Sequence, residues 1–226
     1  MNIFLDIETI PCQWPGIQDE FLAEVTAPGQ YKKAESIAEW MAVNGKAQAE
    51  ENWLKTSFDG GLGQICVIGW AIDDEPAESL QIKDFGSNAE WFILRVFVDL
   101  LNTIHTGNSG LRPVVIGHNH IAFDLPFLWK RAMVHNLRPP LWFPRNPKPW
   151  AESVADTMLL WDGTQRSGGS MSKICRSLGI PGKGDMDGSK VWPMVRDGRI
   201  DEVAAYCRDD VDRTRQMYKR MMFEVV

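Results

Sequence analysis

The chain has 226 residues, 44% of them hydrophobic and 24% charged, which is enough apolar material for one substantial core under an ordinary solvated surface. Thirty acidic residues against 24 basic ones give a formal charge of −6, so bulk positive charge is excluded as the means of holding a polyanion. Arg95 and Asp99 interrupt the longest apolar stretch, 91–104, and no run reaches the ~18 residues of a membrane span.

Residues 2–8 are apolar and β-branched with Asp6 and Glu8 in alternating register, and they read as a strand. Residues 18–57 read as helical from the spacing of Phe21, Leu22 and Val25 and then of Ile37, Trp40 and Met41. Two strands follow, 64–73 and 80–85, separated by the turn residues Asp73-Asp74-Glu75-Pro76. An amphipathic helix fits 89–105 and is closed by Gly107-Asn108-Ser109-Gly110; a strand at 114–117 then leads to a helix at 124–135. Pro139, Pro140, Pro144, Pro147 and Pro149 make 137–151 irregular. Short helices at 156–161 and 171–178, a loop at 179–188, a helical turn at 191–196 and a long helix at 201–222 complete the order. Strands alternating with helices predict an α/β fold over 1–226, taken as one domain. The connection 11–60 is too long for a hairpin and is expected to be a helical insertion with a role of its own, such as a flap over a substrate groove.

Cys12, Cys66, Cys175 and Cys207 form no close pairs, which argues against a zinc site and against a disulfide framework. No basic segment followed by an apolar one opens the chain, and a cytoplasmic location is the expectation.

Acidic residues fall into a pattern on three separated segments. In Phe-Leu-Asp-Ile-Glu-Thr-Ile-Pro, a strand points the carboxylates of Asp6 and Glu8 to one face. In Val-Val-Ile-Gly-His-Asn-His-Ile-Ala-Phe-Asp, Asp124 stands where the next helix begins. In Ala-Ala-Tyr-Cys-Arg-Asp-Asp-Val-Asp, a helix puts Tyr206 and Asp210 on one side. Each piece alone is weak: Asp-Ile-Glu is common by chance, and a Tyr–Asp pair four apart is usually a surface contact. Their ordered conjunction is specific.

The three stretches resemble the three motifs of the DEDD superfamily of 3′-to-5′ exonucleases, of the ribonuclease H-like fold. The tyrosine resembles that of the DEDDy branch, most closely the exonucleases related to the proofreading domain of family B DNA polymerases. The histidine branch does not fit, because Ala205, Ala204 and Cys207 occupy the place of its histidine before Asp210, Asp209 and Asp212. The resemblance implies a mixed sheet of about five strands flanked by helices, with the helical insertion after the first strand. It implies that Asp6, Glu8, Asp124 and Asp210 hold two Mg²⁺ or Mn²⁺ ions, Asp6 bridging both, and that Tyr206 orients the attacking water. It also implies that Thr9 touches the terminal 3′ hydroxyl and that Asn119 and Phe123 contact the last nucleotides. The expected substrate is a single-stranded or frayed 3′ end, of DNA more than RNA. A 3′-to-5′ exoribonuclease and a non-catalytic nucleic-acid-binding module on the same fold are the alternatives. With no polymerase region in these residues, the domain would act alone or in trans with a replication or repair partner.

Charge distribution softens the objection raised by the net charge. Lys130, Arg131, Arg138, Arg145 and Lys148 lie in one acid-free stretch, and Arg166, Lys173, Arg176 and Lys183 in another. Trp142, Trp150 and Trp192, beside these basic stretches or the loop 179–188, are the tryptophans best placed to stack on bases. His118 and His120 are expected to hydrogen-bond locally or to approach substrate, Asp156 and Asp162 to cap helices or extend the acidic centre, and Asp185-Met186-Asp187-Gly188 to form a turn.

Overall fold

In the computed structural model, which describes residues 1–86, 88–107, 113–163, 169–182 and 186–224, the first apolar run forms strand β1 (Asn2–Ile10). Helices α1 (Ile17–Glu24) and α2 (Ala34–Lys55) and a 3₁₀ turn at Thr56–Phe58 follow, then strands β2 (Gln64–Ile72) and β3 (Glu78–Gln81). Helix α3 (Ala89–Gly107) leads to β4 (Val114–Gly117), α4 (Asp124–Val134) and β5 (Val154–Asp156). Helices α5 (Thr157–Asp162), α6 (Met171–Leu178), α7 (Val191–Arg196) and α8 (Ile200–Met221) come last, with a second 3₁₀ turn, Gly188–Lys190, just before α7.

The sheet order is β3-β2-β1-β4-β5. Strands β1, β2 and β3 form an antiparallel meander, and β4 and β5 join it in parallel with β1. Strand β1 therefore lies in the middle, paired on both edges. Its alternation separates two layers. Leu5 and Ile7 belong to the main core with Ile93, Leu94 and Phe97 of α3 and Leu125 and Leu128 of α4. Phe4, on the other face, packs with Val211 and meets the ring of Tyr218 edge-on at 6.0 Å, both from α8. Asp6 and Glu8 share Phe4's register and so point to the layer that α8 covers.

Three elements differ from expectation. The helical stretch 18–57 breaks into α1 and α2, because Pro28 and Gly29 interrupt it and Val25 leaves the helix in an extended conformation. Strand β3 starts and stops earlier than 80–85: the Ile82 N–H still bonds to the Cys66 carbonyl, but Lys83 to Phe85 bend away. The fifth strand, β5, went unlocated in the sequence and lies just ahead of what read as a short helix at 156–161, sharing only Asp156 with it. Three residues carry too little periodicity to announce a strand; pairing of Val154 with Val115 supplies what propensity does not. Helix α2 buries only Gly45, Ala49 and Trp53, and its C-terminal end is held where the Trp53 indole N–H donates to the Cys12 carbonyl at 2.7 Å.

An ion network lies inside the fold. Arg131 of α4, 1% exposed, donates to both carboxylate oxygens of Glu90 on α3 at 2.8 and 2.6 Å; the same carboxylate meets His135 at 2.7 Å and accepts the Ile65 N–H at 2.8 Å. Burial alone would raise the Glu90 pKa, but the hydrogen bonds from His135 and Arg131 overcome it and hold the carboxyl below its ordinary range. The acid-free stretch containing Arg131 is thus not a uniform phosphate-facing surface: Arg131 points inward, Lys130 pairs with Asp59 at 3.1 Å, and Arg145 lies over the Trp129 ring at 5.1 Å. Arg166 and Lys183 lie outside the described residues. All four cysteines are buried. Among the described residues no helix is long and apolar enough to cross a membrane.

Candidate metal centre and substrate cleft

Two close approaches bring α8 and the loop after β4 down onto the sheet. Gly69 faces Asp6 across the β1–β2 ladder, and a Cβ there would lie 2.7 Å from the Cys207 sulfur and 3.2 Å from a Val211 methyl. Only a bare backbone lets α8 settle low enough for Tyr206 and Asp210 to reach β1. At Gly117 a Cβ would sit 2.6 Å from the His120 side chain, which fills the space beneath the loop. Replacing Gly69 with Ala is expected to cost about 1–3 kcal/mol, as overpacking does, and to lower activity by lifting α8. Thermal denaturation and a turnover assay check both; an active variant of unchanged stability would show that α8 has room to spare.

One open cleft of about 410 Å³ is lined by Asp6, Glu8, Asn119, Phe123, Asp124, Tyr206 and Asp210 together. Seven of the eight residues singled out in the sequence therefore meet. Thr9 lines the adjoining groove instead; a register shift after Glu8 turns the strand there, and the Thr9 hydroxyl donates to the Ser57 carbonyl at 2.7 Å.

Among the described residues, Asp6, Glu8 and Cys207 form a cluster whose ligand atoms lie within 4.8 Å of one another. Asp124 is tied to the same strand, its Oδ1 accepting the Ile7 N–H at 3.1 Å between the two strand carboxylates. Burial, opposed by hydrogen bonds from the Asp124 and Ile7 backbone and reinforced by the Asp156 charge, raises the Asp124 carboxyl to about 7. Asp210 is buried and accepts from Arg213 at 2.9 Å. The Tyr206 hydroxyl is pushed far above its ordinary range, first by burial and then by the Asp210, Glu8 and Asp6 charges. It stays a neutral phenol.

Cys207 was missed as a neighbour of the carboxylates. Its thiol contacts Asp6 Oδ2 at 3.3 Å, and burial together with the Asp6 and Glu8 charges holds it well above the usual thiol range. The hard donors of this cluster are the carboxylate oxygens of Asp6 and Glu8, with the Cys207 sulfur beside them. Only its position one residue after Tyr206, pointing toward the sheet, hinted at this contact.

The loop from His118 to Phe123 is held from behind. Asn119 takes a left-handed φ of 59°, which Asn tolerates, and its N–H donates to Asp156 Oδ1 at 2.9 Å. Asp156 also accepts from Ile121 at 3.1 Å and from Met158 at 3.0 Å, so it caps α5 and braces this loop rather than extending the acidic centre. Asp162 accepts the Gly169 N–H. His118 lines the cleft and its Nδ1 lies 3.0 Å from the Thr157 hydroxyl, whereas His120 is fully buried with neither ring nitrogen hydrogen-bonded, and burial pushes its pKa down to about 3. His120 is neutral packing material. Asp187 reaches the cleft wall, accepting from the Ser189 N–H at 2.9 Å at the head of the second 3₁₀ turn; Asp185, in the same predicted turn, lies outside the described residues. Of the tryptophans, Trp150 is 77% exposed, Trp142 packs partly buried on Phe143, and Trp192 packs against Trp53.

A central strand carrying two carboxylates, joined by a carboxylate at a helix start and a Tyr–Asp pair on the last helix, defines a ribonuclease H-like α/β protein with an acidic cleft. The chain belongs to the family of predicted 3′-5′ exonucleases related to the exonuclease domain of PolB, whose model matches residues 61–224. That span contains Asn119, Phe123, Asp124, Tyr206 and Asp210 and leaves out β1. Among solved structures, the family B DNA polymerase from the hyperthermophilic archaeon Pyrobaculum calidifontis is similar, with a TM-score of 0.59 and 16% identity over 98% of this chain and 24% of that one. The chain thus spans about a quarter of that polymerase, and the likeness is one of fold. No curated protein matches it.

Proposed function

We propose that this protein is a metal-dependent 3′-to-5′ exonuclease that removes nucleotides from single-stranded or frayed 3′ ends, of DNA in preference to RNA. The observation that carries the reading is the sharing of one cleft by Asp6, Glu8, Asp124, Tyr206 and Asp210, from segments far apart in the chain. Carboxylates gathered at buried and half-buried positions repel one another, so the donor set fits a site built around cations. Asp6, Glu8, Asp124 and Asp210 would hold two Mg²⁺ or Mn²⁺ ions. When bound, such a pair activates water and stabilises the leaving 3′ oxygen.

The remaining work falls to the chain's own groups. Tyr206, kept protonated by burial and by the neighbouring carboxylates, orients the water through its hydroxyl and cannot serve as the base. Asn119, on a loop braced by Asp156, and Phe123 at the start of α4 position the terminal nucleotides. Thr9, beside Glu8, meets the substrate end from the adjoining groove.

The direct test is a labelled oligonucleotide incubated with Mg²⁺ or Mn²⁺ and with an EDTA control, on matched DNA and RNA with single-stranded, recessed and blunt 3′ ends. EDTA-sensitive shortening from the 3′ end is the expected result; binding without shortening would overturn it in favour of a non-catalytic module. Tyr206→Phe is expected to lower the rate about a hundredfold, the loss typical of a misoriented reactant, while metal binding by calorimetry stays near wild type. Equal loss of rate and metal affinity would remove Tyr206 from its assigned role.

A further inference from the structure

Next to the carboxylate cleft runs a second groove of about 360 Å³, between the 3₁₀ turn Thr56–Phe58 and the segment that opens α7. The two share Gly188, and Thr9 in the groove adjoins Glu8 in the cleft. Phe58 stands on its wall with 74% of its surface exposed. Its ring centroid lies 6.4 Å from that of Phe123, which lies 5.6 Å from Phe127, so an aromatic row runs outward from the core past the cleft and ends on Phe58.

The turn that presents this ring is fixed at several points. The Thr56 hydroxyl accepts the Cys12 N–H at 2.8 Å and donates to the Trp53 carbonyl at 2.6 Å, and the Ser57 carbonyl takes the Thr9 hydroxyl at 2.7 Å. Ordering the backbone around an exposed apolar ring brings no burial in return. Charge gives the groove little hold on a phosphate backbone. Its basic side chains, Lys55 and Arg196, share the walls with Glu50 and Glu51, and they are already paired, Lys55 with Glu51 at 2.6 Å and Arg196 with Asp197 at 3.2 Å. What the groove offers is an aromatic face, and base faces stack on such rings whatever the sequence.

Resting on the exonuclease reading above, we propose that Phe58, supplied by the insertion, is a base-stacking residue that grips a nucleotide just inward of the 3′ terminus and so selects unpaired ends. At 6.4 Å the Phe58 and Phe123 centroids are too close to take a base between them, which needs about 7 Å, or two stacking gaps of ~3.4 Å. The base therefore lies on the outer face of Phe58. A base stacked in a duplex cannot present its face this way, whereas a frayed strand can.

The test uses the full chain and DNA oligonucleotides carrying 2-aminopurine at the second or third position from the 3′ end. With Ca²⁺ in place of Mg²⁺ to slow turnover, wild type is expected to quench the probe on binding, Phe58→Trp to quench it as well, and Phe58→Ala and Phe58→Leu to lose the quench. With Mg²⁺, Phe58→Ala is expected to raise KM for single strands roughly tenfold, within the range alanine substitution gives for base–aromatic contacts, with a smaller change in kcat. Wild-type KM and quenching in both Phe58→Ala and Phe58→Leu would overturn the proposal while leaving the nuclease standing. A wild-type protein that quenches the probe yet never shortens DNA would sink the nuclease reading and leave Phe58 its binding role. Because the ring is exposed, the variants should melt with wild type, which a thermal scan checks.

Discussion

Asp6→Asn is expected to abolish hydrolysis, lowering the rate at least about a thousandfold, because at ~1.4 kcal/mol per decade the several kcal/mol credited to cation stabilisation in phosphoryl transfer amount to that factor. The change is small in shape. Asn fills the same space on a strand paired along both edges, and it can still accept from the Cys207 thiol. It removes one charge from a cluster in which Asp6 and Glu8 offer oxygens within 4.8 Å of one another, so the variant without divalent ions is expected to be at least as stable as wild type. Adding Mg²⁺ or Mn²⁺ should raise the wild-type melting temperature by several degrees through preferential binding to the folded state, and should do much less for the variant. Undiminished turnover by Asp6→Asn would remove the central strand from the chemistry.

Arg131→Met carries the largest expected cost in stability. It strands Glu90, 4% exposed, without the guanidinium that reaches both its oxygens, and breaking one side of such a buried pair typically costs about 3–5 kcal/mol. The pH dependence fixes the sign. In the wild type the folded Glu90 carboxyl is held below its ordinary value of 4.5, so its contribution is complete above that value and is lost as pH falls through the lower folded pKa. In the variant, burial without the guanidinium pushes the carboxyl the other way, so the deficit should be greatest near neutral pH and should shrink on acidification. The double variant Glu90→Gln, Arg131→Met keeps an acceptor for the Ile65 N–H and removes the stranded charge, and it should recover most of the loss. Chemical denaturation across pH checks both. A single variant within 1 kcal/mol of wild type at neutral pH would mean that water or His135 compensates for the missing cation.

Much of this was legible in residue order. Alternation along 2–8 fixed which face carries Asp6 and Glu8, and the four-residue spacing of Tyr206 and Asp210 put both toward the sheet once α8 packed across it. Asp124 announced itself by standing at the end of a strand-and-loop run. What stayed hidden depends on partners distant in sequence. Strand β5 exists because β4 lends its edge; Cys207 lies beside Asp6 only because Gly69 has no side chain; Arg131 looks like a surface cation until Glu90 is found 41 residues away. Phe58 carried no signal at all. Its meaning comes from the hydrogen bonds that pin its turn and from the ring beside it, and neither has a local signature.

The contact between Cys207 and Asp6 spans 201 positions in the chain. Strand β1 leaves the ribosome well before α8, so the nascent polypeptide holds two of its carboxylates long before it owns the other half of the centre. Closing so large a loop is entropically only slightly dearer than closing one half its length, yet it must wait for α8 to emerge. On the proposed function, cleaving ability waits for α8 to be made, and chains halted short of that helix are harmless near nucleic acid by construction.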